Sequence, residues 1–233
     1  MSTRGQENKP KWVAEHVGRI TSSTAHKIVQ KRGSTKPDKI VASLMTGFAD
    51  SSTLCEGDSR AHGHELEDQA RRAYIDTKSK CGHPVTVTQH GLFVDETFPF
   101  LASSTNGLIS EDGGKTKGVL EIKCPHSSLA VDDLSDQRKS FFLFRTENGE
   151  LHLKQTHSYY TQLQMEMALT KCLWADFVVF TTNGSEDSLF VERINFDVHF
   201  WEMSRASIST IYKEFVVLEL VTRRLKRHKR LLA

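Results

Sequence analysis

A carboxylate and an ammonium lie two residues apart in the otherwise apolar pentapeptide VLEIK, at Glu121 and Lys123. In a β-strand these two side chains project from one face, while Leu120 and Ile122 project from the other. On a buried or half-buried sheet, such charges are costly unless they pair with each other, bind a metal or take part in chemistry. The spacing therefore makes this strand the first candidate for a functional site.

The residues before this strand predict a hairpin. Residues 101–125 read as two strands joined by a glycine-rich turn, and the polar segment SSTNG lies at residues 103–107. Hairpin geometry can place a further ligand from this polar segment beside Glu121 and Lys123.

Another carboxylate falls on the inward face of a helix predicted from Ser59 to about Ser79. Small and aromatic residues share this face at spacings of four, three and four: Gly63, Glu67, Ala70 and Tyr74. A carboxylate in such surroundings needs a partner. A divalent metal shared with Glu121 would serve, and so would a salt bridge from Glu67 to Arg71 at i+4, so the residues alone leave both open.

An anion site is predicted near the start of the chain. The segment GRITSS ends in good N-cap residues for a helix that continues through Ile28 and Val29 to about Gly33. Free amide groups at a helix start bind phosphate, and Arg19 is close in sequence. A plain capped surface helix explains Arg19 and Ser23 equally well.

The remaining pattern alternates between helix and strand signals. The predicted elements are a helix from Pro37, strands at 84–90 and 98–102, a hairpin around Asn148–Gly149, a helix at 157–170, a strand pair around Asn183–Gly184 and a closing helix. In the 157–170 helix the periodicity alone favours a solvent-facing Gln162. The element order predicts an α/β (α+β) domain.

Composition indicates one globular domain. The chain has 233 residues, of which 38% are hydrophobic and 26% charged, so it is neither disordered nor membrane-bound in character. Because it shows no apolar run of bilayer length and no secretion signal, we expect an intracellular protein, in the nucleus or cytoplasm depending on the host. We assign residues 1–10 to a disordered N-terminus, 11–222 to a single domain and 223–233 to a basic tail.

Charge and cysteines add little to the functional assignment. A net charge of +2 does not indicate a nucleic-acid binder by itself, and the basic run RRLKRHKR is open to three interpretations: phosphate contact, nuclear address or solvated end. The four cysteines are widely spread and form no C-x-x-C pair, so we expect free thiols.

Three motifs resemble those of one nuclease superfamily. LEIKCP with its upstream S-x-x-G turn, G-x-x-x-E-x-x-A-x-x-x-Y around Glu67, and Y-x-x-Q-x-Q around Gln162 are similar to motifs of the PD-(D/E)XK nucleases, in particular of lambda exonuclease and the YqaJ-type viral recombinases. The likeness extends from Gly18 to the last helix. It implies a restriction-endonuclease-like core with a central mixed β-sheet flanked by helices.

The resemblance implies a metal site. Mg²⁺, for which Mn²⁺ can substitute, would be held by the side chains of Glu67, Asn106 and Glu121 and by the Ile122 carbonyl. Because these ligands are all oxygen, magnesium is preferred over zinc. Lys123 would orient or deprotonate the attacking water or stabilise the developing charge, and we expect burial and a nearby metal to lower its pKa.

The resemblance also implies DNA contacts. Gln162 would position water or a neighbouring side chain at the active site. Arg19, Ser23 and Ser104 would contact DNA phosphates, although the arginine of the family falls near His16 in this sequence and Arg19 is chosen by proximity.

Residue 106 departs from the family pattern, which has aspartate before the glycine of this turn. An amide removes one negative charge from a site that must bind a divalent cation. Loss of one metal position in a two-metal site costs several kcal/mol of transition-state stabilisation, an order-of-magnitude expectation. Asn106 is either a deliberate change that traps uncleaved DNA or the mark of a natural relative that binds DNA without cutting it. We favour the first because Glu67, Glu121, Lys123 and Gln162 are intact.

We therefore expect a Mg²⁺-dependent deoxyribonuclease, most specifically a 5′-to-3′ exonuclease on linear duplex DNA ends that carry a 5′-phosphate, inactivated here by Asn106. The alternatives are a structure-specific endonuclease of the same fold and a non-catalytic DNA-binding or recombination protein. A metabolic enzyme unrelated to DNA would make the motif matches coincidental. A single-strand annealing protein is a further expected partner, and both a monomer and a ring remain open.

Overall fold

The structure, a computed structural model, describes residues 15–16, 18–30, 36–49, 59–137, 140–227 and 231. Its helices are α1 (Ser22–Val29), α2 (Pro37–Ala49), α3 (Ser59–Lys80), α4 (Val131–Gln137), α5 (Ser158–Thr170), α6 (Val198–Ile211) and α7 (Val217–Thr222). A π-helical turn, Tyr212–Val216, joins α6 to α7, and short 3-10 segments lie at Asp112–Gly114 and Leu225–Arg227.

The strands of the described residues form three sheets. They are β1 (Ile20–Thr21), β2 (Thr86–Thr88), β3 (Phe93–Val94), β4 (Leu101–Ser103), β5 (Gly107–Glu111), β6 (Thr116–Lys123), β7 (Leu143–Arg145), β8 (Leu151–Leu153), β9 (Trp174–Thr182) and β10 (Asp187–Asn195).

A five-stranded mixed sheet with the order β10-β9-β6-β5-β2 forms the centre of the fold. Strands β6 and β9 run parallel, and the other neighbours in this sheet run antiparallel. A parallel pair needs a long crossover connection, which α4, the β7–β8 hairpin and α5 supply. A smaller sheet, β1-β4-β3, lies beside the central one.

Helices cover both faces of the central sheet. On one face α3 contributes to a hydrophobic cluster with strand residues, namely Ala70, Tyr74, Ile109, Leu120, Ile122, Val178 and Phe180. On the other face α5 packs through Leu163 and Met167 against Val119 and Phe177. Adjacent residues of β6 therefore face different helices, as the strand alternation predicts.

Helix α5 is covered on its outer side as well. Residues of α1, α2 and α6, among them Ala25, Ile28, Leu44 and Ile208, form a second cluster with Met165 of α5. As a result every residue from Tyr160 to Met167 is buried, including two glutamines and a glutamate. Polar side chains on a helix that is enclosed on all sides need internal partners, so α5 is where polar contacts are concentrated.

The predicted architecture, a mixed sheet flanked by helices, is confirmed. The hairpins predicted around Asn148–Gly149 and Asn183–Gly184 are present, with Gly149 at φ +84° and Gly184 at φ +92°, a region that favours glycine. The hairpin predicted within residues 101–125 is formed by β5 and β6, while β4 belongs to the smaller sheet. The strand predicted at 98–102 begins only at Leu101, because residues before it form a turn. Helix α4 and the two-residue strands β1 and β3 were not predicted, since elements this short show little periodicity.

The described termini bear on two further predictions. Leu231, in the predicted basic tail, is buried against the α1–α2–α6 cluster, and its backbone N–H donates to Asp38 Oδ1 at 3.4 Å. Residues 1–10 and Cys55 lie outside the described residues.

Cys81, Cys124 and Cys172 are free thiols, as expected. Within the described part of the chain, the helices are too short or too polar to span a membrane.

Strand β6 carries a glycine at a position where no side chain fits. A Cβ on Gly118 would lie 2.3 Å from ring atoms of Trp174, and the Arg193 guanidinium stacks on that ring 3.6 Å from its centre. We expect Gly118→Ala to lower the free energy of unfolding by about 1–3 kcal/mol, because the indole cannot withdraw without losing this stack. Urea denaturation measures the change, with the exposed neighbour Lys117→Ala as control. Unchanged stability of Gly118→Ala would contradict this packing.

Candidate active site

Glu121 and Lys123 form the centre of the candidate site. Lys123 Nζ lies 2.7 Å from Glu121 Oε1, and Glu121 is only 3% exposed. The ring of Tyr159 contacts the ammonium, with 4.3 Å between Nζ and the ring centre. The two charges thus pair directly, which is one of the arrangements that their spacing allows.

Gln162 joins this pair from α5. Its Nε2 donates to Glu121 Oε1 at 2.6 Å, and its Oε1 accepts from Lys123 Nζ at 3.3 Å. The side chain is buried, so the solvent-facing position that periodicity alone favours is wrong. Gln162 instead lies where the family resemblance implies.

Asn106 reaches the same strand through the β5–β6 hairpin. Gly107 pairs with Leu120, and the Asn106 side chain turns toward β6, where Oδ1 accepts from the backbone N–H of Ile122 at 2.7 Å. An aspartate has nearly the same shape, so one of its oxygens could accept this bond and the other would replace Nδ2. Residue 106 therefore anchors to the strand that carries Glu121.

Glu67 approaches from α3 and forms the alternative salt bridge that its spacing allows. Arg71 Nη2 lies 2.7 Å from Glu67 Oε1 and donates to the Asn106 carbonyl at 3.4 Å. The negative charge of Glu67 also contributes to raising the pKa of Glu121 on β6 and the pKa of the Cys124 thiol just after that strand. Arg71 thus links Glu67 to the turn that carries Asn106.

The pKa values in the site follow from burial and pairing. Burial raises the pKa of Glu121, and Lys123 opposes this shift only in part. For Lys123 burial disfavours the ammonium, but the Glu121 carboxylate outweighs it, so the pKa of Lys123 is raised. Burial alone would lower the pKa of Lys123, as expected, but the neighbouring carboxylate stabilises the charged amine and reverses the direction of the shift.

The oxygen donors fit a hard divalent cation that takes few protein ligands. Glu67 and Glu121 offer two carboxylates and Asn106 an amide oxygen, and Mg²⁺ commonly takes one or two carboxylates together with waters and substrate phosphates. No cluster of three or more His, Cys, Asp or Glu side chains suited to a metal occurs in the described ranges. Both carboxylates would have to exchange a basic partner for the ion.

The three predicted phosphate contacts differ in their surroundings. Ser23 is exposed in the first turn of α1, and its hydroxyl lies 3.2 Å from that of Thr21. Arg19 donates from Nε to the Pro99 carbonyl at 3.0 Å and pairs with Glu15, so its guanidinium is already engaged. Ser104 is half-buried in the turn that carries Asn106. Their roles remain predictions.

Sequence reasoning missed one residue of the site, Glu166. Its Oε1 accepts from Gln162 Nε2 at 2.9 Å and from the Ser22 hydroxyl at 3.1 Å, and the residue has no exposed surface. The signal was available, because positions i and i+4 share a helix face and Glu166 follows Gln162 by four residues. A motif that stops at the second glutamine does not include it.

Comparison with known proteins identifies the family. The sequence profile of the YqaJ-like viral recombinase domain matches residues 11–173. The chain belongs to this family. The predicted membership of the YqaJ-type group is therefore confirmed. No curated protein matches the chain.

Solved structures of exonucleases have the same fold as this YqaJ-like domain. LHK-Exo in complex with dAMP shares 24% identity at a TM-score of 0.64, over 94% of this chain and 98% of that one. LHK-Exo is an alkaline exonuclease from Laribacter hongkongensis, also solved in a second structure with a TM-score of 0.61. A phage-related exonuclease from Haemophilus somnus has 14% identity and a TM-score of 0.57, over 84% of this chain and 92% of that one.

Glu166 generates a pH dependence of stability. Burial, together with the Glu121 carboxylate, holds the pKa of Glu166 well above its ordinary value of 4.5. The folded chain therefore keeps a proton that the unfolded chain loses, so the stability contributed by Glu166 is present below pH 4.5 and is lost as the pH rises toward the folded pKa. We expect Glu166→Gln to gain stability relative to the parent as the pH rises above about 4.5, measured by urea denaturation.

Gln164→Met is the matched control, because it removes a buried amide from the same helix without removing an ionisable group. Its effect on stability should not vary with pH. A difference between Glu166→Gln and the parent that stays constant with pH would contradict the raised pKa of Glu166.

Proposed function

We propose that this chain is a metal-dependent DNA nuclease, that its reaction is 5′-to-3′ exonucleolytic hydrolysis at linear duplex ends, and that Asn106 disables cleavage in the sequence as it stands. The observation that carries the proposal is the buried contact of Glu121, Lys123 and Gln162 at the end of one strand. A carboxylate, an ammonium and an oriented amide in direct contact are the groups that phosphodiester hydrolysis needs.

Each of these groups has a distinct task. Lys123 carries a full positive charge beside the reacting phosphate and stabilises negative charge that develops there. Gln162 holds the ammonium and the Glu121 carboxylate at fixed distances. When bound, Mg²⁺ or Mn²⁺ would supply an activated water and neutralise phosphate charge, held by Glu67, Glu121, residue 106 and the Ile122 carbonyl.

Nucleic acid as the substrate is supported by the family and by the neighbours. The family is one of viral recombinases, one structural neighbour contains dAMP, and another is a SOX–DNA complex, with 10% identity and a TM-score of 0.52 over 84% of this chain and 65% of that one. The N-terminus of α1 bears the exposed Ser23 on the sequence segment where the family resemblance implies a terminal phosphate.

The charge balance explains why Asn106 weakens the site. Glu67 and Glu121 are matched by Arg71 and Lys123, so the formal charges of these four side chains cancel. A divalent cation then gains little from entering, whereas an aspartate at residue 106 would leave the site with an excess negative charge.

One substitution tests the proposal. We expect Asn106→Asp to degrade linear duplex DNA in Mg²⁺, from the 5′ end, and to leave closed circular duplex intact, while the parent chain binds DNA and does not cut it. Chelator should abolish the activity. End-labelled duplexes with and without a 5′-phosphate report polarity and end preference.

Lys123→Met in the Asn106→Asp background is the matched control for a contaminating nuclease. It removes the ammonium, so we expect a loss of about 100- to 1,000-fold in rate. Cleavage of closed circular DNA would overturn the exonuclease assignment in favour of an endonuclease. No cleavage by Asn106→Asp would leave a non-catalytic DNA-binding protein, a function favoured by the pairing of Glu67 with Arg71 in the present arrangement.

A further inference from the structure

Gln162 has an amide group whose two ends make different contacts. Its two N–H bonds point at two carboxyl groups, Glu121 Oε1 at 2.6 Å and Glu166 Oε1 at 2.9 Å, while its oxygen accepts from Lys123. The two ends of a glutamine amide have almost the same size, so hydrogen-bond partners alone decide which end faces where. Glu166 makes one of the three contacts that determine the orientation of the Gln162 amide.

Glu166 is held in turn from the opposite side. The Ser22 hydroxyl, in the first turn of α1, donates to Glu166 Oε1 at 3.1 Å. A second bond between the same two helices joins His26 and Thr161 at 2.8 Å. The chain of contacts therefore runs from α1 through Glu166 and Gln162 to the Glu121–Lys123 pair.

A carboxyl group in this position is costly to keep. Glu166 has no exposed surface, and its Oε2 has no hydrogen-bond partner among the described residues. An apolar side chain of the same length would fill this space without burying an orphan oxygen. The free-energy cost of burying the Glu166 carboxyl group is explained when this group has a role in the neighbouring active site.

We propose that Glu166 is a positioning residue, which fixes the orientation of the Gln162 amide and through it the distance between Lys123 and Glu121. This inference rests on the proposed nuclease function, in which Lys123 and Glu121 act on the phosphate. Without Glu166 one N–H of Gln162 loses its acceptor, and the amide can turn away from Lys123. The ammonium then loses one of the contacts that hold it.

Nuclear magnetic resonance of the Gln162 side-chain amide tests the geometry in the chain as it exists, independently of cleavage. The signal is assigned by its loss in Gln162→Met. We expect Glu166→Leu to shift this NH₂ pair toward the positions of solvated glutamines, and Glu166→Gln, which keeps an oxygen acceptor, to leave it near the parent position. An unshifted signal in Glu166→Leu overturns the proposal.

Kinetics in the Asn106→Asp background test the consequence for the reaction. We expect Glu166→Leu to lower kcat by about 10- to 100-fold with little change in KM, because DNA contacts are untouched while the reacting groups are displaced. Glu166→Gln should restore most of kcat. An equal loss in both variants, or an unchanged kcat in Glu166→Leu, overturns the positioning role.

Gln164→Leu is the matched control, because Gln164 is equally buried on α5 but bonds to the Asn195 carbonyl and the Asp197 N–H, away from the site. It should leave kcat and the Gln162 signal unchanged. If Glu166→Leu does not fold, Ser22→Ala serves in its place, since it releases Glu166 from α1 and should also shift the Gln162 signal. No shift in Ser22→Ala then overturns the proposal.

The two proposals fail in different ways. If Asn106→Asp does not cut DNA, the nuclease function fails, while the Gln162 signal still decides whether Glu166 orients the amide. If Asn106→Asp cuts DNA, and Glu166→Leu changes neither the Gln162 signal nor kcat, only the positioning role fails.

Discussion

Buried Glu121 and half-buried Lys123 lie on one face of β6, and the need to satisfy these two charges governs the structure around them. A carboxylate and an ammonium removed from water are tolerated only with good geometry and additional hydrogen bonds. Helix α5 provides the hydrogen bonds through Gln162, and it can do so because it is enclosed between the sheet and the outer helices. Burial of α5 therefore gives the site its rigidity.

The fold was largely predictable because its elements have long or distinct patterns. The alternation in VLEIK gave both the strand and the opposite faces of Glu121 and Leu120, and Asn-Gly pairs marked two hairpins. Elements of two or three residues, such as β1 and β3, were missed because so few positions show no periodicity.

The residues of the site were predictable where strand spacing or a family motif marked them. Glu121 and Lys123 followed from strand spacing, but burial of Gln162 depends on helices packing over α5, which local periodicity does not encode. Glu166 was missed although it follows Gln162 by four residues on the same helix, because the motif ends at Gln164. The raised pKa of Lys123 depends on its actual partner, Glu121, whereas burial and a metal predicted the opposite direction.

Anomalous diffraction from crystals soaked in Mn²⁺ tests most directly whether this group of residues is a metal-dependent active site. For Asn106→Asp we predict an anomalous peak in contact with both Glu67 and Glu121, with Lys123 released from its bond to Glu121, and a weaker peak in the parent chain. The absence of a peak at these carboxylates in Asn106→Asp, with the Glu121–Lys123 bond intact at saturating Mn²⁺, would contradict a metal-dependent active site.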